Sequence, residues 1–165
     1  MRVYVIRHAN PESTDYDDDP DPGISDEGTE AATALGQWMT ENDQIPTVLY
    51  ASPMTRTQET AETIAHAIEE AGYAKPDVKP DARIGPQMSI KALIVELADD
   101  KSMSRVGIVS HHEAITAGLR VLDKPTHPDP FAQAELRIYK VKRKNAEWKE
   151  KERVVPSDLG GIDHY

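Results

Sequence analysis

The chain has 165 residues, 38% of them apolar, and its 19 basic and 29 acidic residues leave a net charge of −10. That is the size of one domain with a core of its own. It is too acidic to bind nucleic-acid backbones non-specifically, holds no apolar run near the ~18 residues of a membrane span, and has no cysteine for disulfides, thiolate zinc sites or a thiol nucleophile.

Met1 to His8 contains too short an apolar stretch for a signal peptide and no small-residue cleavage site, so a cytoplasmic location is the expectation. Arg2 to Arg7, β-branched and aromatic, predicts a buried strand that ends at Arg7-His8. Residues 11–23 hold six acidic residues and three prolines and predict an acidic loop near the end of that strand. Ser25 then caps a helix opening at Asp26-Glu27, where acidic residues suit the positive helix end. Thr47 to Ala51 predicts a second strand. Ser52-Pro53 follows as cap and first-turn proline of a helix that stops by Gly72. Val78 to Ile84 is a weak strand or loop, and Ile90 to Leu97 has helical periodicity. Arg105 to Ser110 is a third clear strand, with helix again from Glu113 to Leu122. Pro125 to Pro130 is a proline-rich loop. Leu136 to Lys142 and Trp148 to Val155 alternate apolar and polar residues and predict an antiparallel hairpin turning at Arg143 to Ala146. Residues 156–165 read as an irregular tail. The expected fold is a single domain over 1–165: a three-layer α/β/α sandwich with a mostly parallel sheet and a C-terminal antiparallel hairpin.

In such sheets ligands sit outside the carboxyl ends of the strands. Arg7-His8 ends the first strand, Arg56 lies one turn into the helix after the second, and His111 ends the third. Two guanidiniums and two imidazoles gathered there make an anion pocket. Arginine suits phosphate because its planar fork binds two oxygens. One imidazole can attack phosphorus while the other, protonated, steadies charge on the transferring group.

Four segments in this order resemble the histidine phosphatase, or phosphoglycerate mutase-like, superfamily. They are Val5-Ile6-Arg7-His8-Ala9-Asn10, Gly23 to Gly28, Ala51 to Ala61 with Arg56 inside it, and Ile108 to Ile115 around His111. The resemblance implies that His8 is the nucleophile and that Arg7, Arg56 and His111 hold the phosphoryl oxygens. It implies that Asn10 touches phosphate or substrate and that the enzyme needs no metal and no cofactor. Ala9 stands where the family usually has glycine, so a methyl group there is expected to narrow the pocket or shift the turn.

The family's proton-donating carboxylate follows a pattern like Asp-x-Arg-Leu-x-Glu. Here Asp81-Ala82-Arg83-Ile84-Gly85-Pro86 puts proline at the acid position. An alcohol leaves poorly unprotonated, and losing a general acid costs ~10²–10⁴-fold. Imidazole, with a free pKa of about 6.5, leaves without help. The short chain and Pro86 look similar to small bacterial phosphohistidine phosphatases. The expected activity is therefore a phosphatase passing through phosphohistidine at His8, with a phosphorylated protein as partner and substrate. A phosphomonoesterase acting on a small phosphate ester and a non-catalytic phospho-ligand binder are the alternatives. Glu12, an aspartate of the acidic loop, or Glu113 are the donors that would serve the esterase, with Glu113 expected to face solvent or cap its helix.

Asp15, Asp17, Asp19 and Asp21 alternate like a calcium loop, but Pro20 stands where such loops need glycine and Asp26 replaces the closing glutamate. Solvation, or gating of the pocket, is the better reading. Zinc at His111-His112-Glu113 is disfavoured because adjacent side chains diverge on one element. His66, His127 and His164 are read as bland.

Overall fold

The computed structural model describes residues 1–122, 130–144 and 147–159. Six strands form one sheet: β1 (Arg2–Arg7), β2 (Val48–Ala51), β3 (Asp77–Pro80), β4 (Arg105–Ser110), β5 (Leu136–Lys142) and β6 (Glu147–Val154). Their spatial order is β3-β2-β4-β1-β5-β6. The first four are parallel, while β5 and β6 run antiparallel to β1 and to each other. The helices are α1 (Asp26–Glu41), α2 (Thr55–Glu70), α3 (Lys91–Asp99) and α4 (His112–Leu122).

Alternation along β1 divides the core into two. Tyr4 and Ile6 pack with Ala31, Leu35 and Met39 of α1 and with Ala61, Ile64 and Ile68 of α2. Val3 and Val5 pack on the other face with Leu93 and Ile94 of α3 and with Ala114, Ile115 and Leu119 of α4. A strand covered on both faces is apolar throughout, which is why Val3 to Ile6 carries no polar residue. Helices on both sides of a mostly parallel sheet are the expected three-layer sandwich. Gly36 lets α1 and α2 meet closely: a Cβ there would lie 2.7 Å from the Ala67 Cβ.

Local signals set several boundaries. Ser25 Oγ accepts the Gly28 amide at 3.1 Å and starts α1 as expected. Other expectations needed correction. The second helix opens at Thr55, and Ser52 is no cap of it. The weak segment at 78–84 splits into the short edge strand β3 and a 3-10 turn at Ala82–Ile84, stabilised by Asp81 accepting the Arg83 amide at 2.9 Å. The tail begins with another 3-10 turn, Pro156–Leu159, and Leu159 packs against the α1/α2 core. The loop at 125–130 lies almost wholly outside the described residues, with His127, His164 and the turn residues 145–146. Among the described residues, no helix is long and apolar enough to cross a membrane.

Candidate active site

Parallel strands present their carboxyl ends together, so β1, β2 and β4 deliver Arg7-His8, Ser52 and Ser110-His111 to one rim of the sheet. A cavity of about 400 Å³ opens there, lined by Arg7, His8, Arg56, Pro86, His111 and Glu113, among others. The His8 and His111 rings lie 5.4 Å apart between centroids, tilted by 58°. His8 and Arg56 are each 6% exposed and His111 is 1% exposed. Four of the five expected site residues therefore converge. Asn10 does not line the cavity; its carbonyl accepts both the Ser25 amide (2.8 Å) and the Ser25 hydroxyl (3.1 Å).

Each ring is held in a defined way. His8 Nδ1 lies 2.8 Å from the Ala9 carbonyl. A carbonyl only accepts, so Nδ1 carries the proton and Nε2 keeps a free lone pair. His111 Nε2 lies 2.8 Å from Ser52 Oγ. Thr57 Oγ1 in turn sits 2.8 Å from the Ser52 carbonyl and 3.1 Å from its hydroxyl. This is the work Ser52 does instead of capping. The Ala9 methyl is buried in the α1/α2 core, and Ala9 neither lines the cavity nor has a left-handed φ, so it narrows nothing. Its amide donates to Thr60 Oγ1 at 3.0 Å.

The Arg7 guanidinium is positioned from behind by the segment before β5. Arg7 Nη1 donates to the Phe131 carbonyl at 2.7 Å, and the Ala134 amide donates to the His8 carbonyl at 3.2 Å. Arg137, 1% exposed, lies 3.8 Å over the Phe131 ring, pairs with Glu135 and donates to the Pro130 carbonyl at 2.9 Å. A buried ion pair thus backs the segment that holds the site.

Polar satisfaction is incomplete at the cavity. Arg7 Nε, Arg56 Nε, Arg56 Nη1 and His111 Nδ1 are buried without a hydrogen-bond partner in the protein. Leaving a buried donor unpaired costs about 1–3 kcal/mol, more when it is charged. Such a cluster of cationic donors is complementary to an oxyanion. The same surroundings disfavour protonated imidazoles. Burial pushes His8 down to about 4, with the Arg7 and Arg56 charges adding to the effect. Burial, then Arg56, His8 and Arg7, push His111 down to about 3.

The acidic loop reaches the cavity through Pro11, Thr14 and Tyr16. The Tyr16 ring sits 5.0 Å from the Arg56 guanidinium carbon, a cation–π contact. The loop's ends are drawn together by the Glu12 amide donating to the Gly23 carbonyl at 2.8 Å. Two of its carboxylates are turned onto backbone: Asp15 accepts from the Asp17 and Asp18 amides, and Asp19 from that of Asp21. Asp21 accepts the Thr55 amide at 2.7 Å and the Thr55 hydroxyl at 2.8 Å, and so caps α2 from a distance. Asp21→Ala is expected to cost about 1 kcal/mol. It would be read as a lower urea midpoint with an unchanged slope.

Tyr16, Gln87 and Gln133 are lining residues that no sequence signal singled out, and His112, weighed from the sequence only as a zinc ligand, lines the cavity too. Glu113 is exposed in the first turn of α4, as expected, and it also lines the cavity because α4 starts at its rim. Among the described residues no group of three or more His, Asp or Glu is placed to hold a metal ion. His66 is exposed on α2, 3.7 Å from Glu70.

Residues 3–81 match the family model of the histidine phosphatase superfamily (branch 1). The chain is similar in structure to the protein histidine phosphatase SixA, solved in complex with tungstate: TM-score 0.82, 15% identity, covering 96% of this chain and 99% of that one. A protein assigned as the phosphohistidine phosphatase SixA from Agrobacterium tumefaciens gives a TM-score of 0.72 at 18% identity, covering 94% of this chain and 99% of that one. A phosphoglycerate mutase from Bacillus anthracis str. Sterne gives 0.70 at 16%, covering 96% and 95%. At these identities the likeness to the solved structures is one of fold. No curated protein matches the chain in sequence.

Proposed function

We propose that this chain, whose residues 3–81 match the histidine phosphatase superfamily model and whose fold is that of SixA, is a protein phosphohistidine phosphatase working through a phosphohistidine intermediate on His8. The observation that carries the reading is the set of unpartnered buried donors on Arg7, Arg56 and His111 around the free Nε2 of His8. Those donors take the three non-bridging oxygens. His8 Nε2 attacks phosphorus, the new P–N bond forms as the bond to the leaving group breaks, and the electron pair departs with that group. Water then attacks the phosphoenzyme, releasing inorganic phosphate and returning His8. With Ser52 donating to His111 Nε2, the His111 Nδ1 proton is available to the phosphoryl group. A SixA structure solved in complex with tungstate, a tetrahedral oxyanion, supports an oxyanion as the kind of ligand. The Arg7 and Arg56 guanidiniums do the electrostatic work a metal ion does elsewhere, so the proposed reaction is metal-independent.

The leaving group follows from the wall of the cavity. Pro86 lines it where the family pattern has an acid, and proline donates no proton. An imidazole leaving group needs none from the protein, because its other ring nitrogen takes a proton from solvent near neutral pH and the ring departs neutral. One observation favours a second reading: Glu113 lines the same cavity and is positioned to serve a phosphomonoesterase. A panel of phosphohistidine peptide, p-nitrophenyl phosphate and sugar phosphates, run on wild type and Glu113→Gln, separates the two. The proposal expects phosphohistidine peptide to be the fastest substrate, with its rate little changed in Glu113→Gln. Sugar phosphates turned over far faster, and lost by ~10²-fold or more in Glu113→Gln, would establish the esterase instead.

A further inference from the structure

A molecule with a net charge of −10 carries a row of cations at the end of the sheet remote from the cavity. Arg2 on β1 stands opposite Lys140 on β5, and Lys140 stands opposite Lys149 on β6. Three like charges are thus in register across three neighbouring strands. Lys151 follows Lys149 on β6, beyond a register shift, and adds a fourth. Lys140, Lys149 and Lys151 are exposed. Because β5 runs antiparallel to β1, this row sits at the start of β1, about 16 Å along the strand from Arg7.

Like charges directly opposite on a sheet destabilise it. Lys142 pairs with Glu147 at 3.2 Å and Arg153 with Glu150 at 2.8 Å, but among the described residues no ion pair joins Lys140, Lys149 or Lys151 to a carboxylate. Among the described residues, the Arg2 side chain donates to the neutral Gln44 side chain at 3.0 Å and pairs with no carboxylate. The repulsion is visible in Lys151, whose ammonium is pulled below its ordinary value first by Lys149 and then, after a smaller effect of burial, by Lys140, with Arg2 adding to it. Lysines on an edge strand commonly guard against aggregation. That explains Lys149 and Lys151 on β6. It does not explain Lys140 and Arg2, which sit on strands that already have neighbours on both sides. The lysines also wall a cleft of about 510 Å³ with Trp148 and Glu147, within the size range of binding clefts.

We propose that this row, Arg2-Lys140-Lys149-Lys151 with the open edge of β6, is a docking surface for an acidic, extended segment of a partner protein. Among the described residues β6 is the edge strand of the sheet, with one side of its backbone able to pair with an added strand. Alternate acidic side chains on such a strand match cations two residues apart on β6. The exposed large apolar residues (Tyr16, Tyr73, Met88, Val95 and Val121) lie elsewhere, so the patch lacks the apolar rim that an anionic lipid surface would engage. The patch spans only three strands, about 10 Å, within an acidic molecule that repels long polyanions. A short acidic peptide fits both limits. The inference stands apart from the phosphatase reading, since no residue of the row touches the cavity.

The test uses the full chain and a fluorescein-labelled decapeptide of alternating glutamate and threonine, with a glutamine-threonine control. The acidic peptide is expected to bind, with an affinity that falls as salt rises. Lys149→Glu should weaken it about tenfold or more, since a reversed charge at an interface is repulsive. Lys144→Glu, the same charge change outside the row, should weaken it clearly less. Lys144→Glu should keep the wild-type melting temperature and Lys149→Glu should keep or raise it, since it relieves the repulsion with Lys140; both should cleave p-nitrophenyl phosphate at the wild-type rate, so a loss of binding reads the patch and not the fold or the cavity. Acidic and neutral peptides binding alike, Lys149→Glu and Lys144→Glu acting alike, or tighter binding of a 20-base-pair duplex or of phosphatidylserine vesicles through these lysines would each overturn the proposal.

Discussion

Replacing His8 with alanine is expected to lower turnover of a phosphohistidine peptide by about 10⁴-fold or more, the scale on which removal of a covalent nucleophile acts. The geometry explains why nothing substitutes for it. His111, the other ring at the cavity, is 5.4 Å away between centroids and has its Nε2 engaged by Ser52. The cationic donors of Arg7 and Arg56 remain in the variant, so phosphate binding should survive while catalysis does not. In the wild type, mixing with substrate and quenching in base should trap a phosphate that is stable to alkali, labile to acid, and located on His8. A phospho-ligand binder of the same fold makes the opposite forecast: no trapped phosphate, and no activity for the substitution to remove. Turnover retained within tenfold in His8→Ala would end the covalent mechanism.

The second large effect is on stability in acid. An imidazole in the unfolded chain takes up its proton near pH 6.5, whereas native His8 does so only at about 4 and His111 at about 3. Between these values the unfolded state binds more protons than the native state, so unfolding becomes easier as pH falls. The stabilisation is fully present above pH 6.5 and is lost progressively as pH drops through the folded values. For His8 alone the loss is roughly 3 kcal/mol. The two rings share one cavity and titrate as a pair, so their contributions do not simply add. Urea unfolding from pH 7 to pH 4 should show this slope, and His8→Asn with His111→Asn should flatten it. Inorganic phosphate, by pairing with the protonated rings, should protect the wild type most at the acid end. Parallel pH slopes in wild type and double variant would show that other groups drive the acid loss.

Much of this was readable from local chemistry. Ser25 before Asp26-Glu27 specified a helix start because capping needs only residues within one turn. Arg2 to Arg7 specified a buried strand because both of its faces are apolar. The clustering of Arg7, His8, Arg56 and His111 followed from a topological rule about where parallel strands end. The failures have a common cause. Ser52-Pro53 carries a local cap signal, yet the Ser52 hydroxyl is taken by His111, 59 positions away in sequence. The cap of α2 is Asp21, in a loop 34 positions before Thr55. Alternation along β5 gave no sign that Arg137 is buried, since its burial depends on Glu135 and on the Phe131 ring.

The amino-acid order by itself determined the alternation of strand and helix, the apolar faces that force three layers, and the residue types able to hold and attack a phosphoryl group. Those properties are encoded in neighbours a few positions apart, where propensity, capping and periodicity act. Only the tertiary structure decided which imidazole nitrogen is free, which donors are left buried and unpaired, that Glu113 faces the cavity, and that four cations meet across three strands. Each of these depends on groups brought together from distant positions, where burial and low dielectric set the strength of every charge and hydrogen bond.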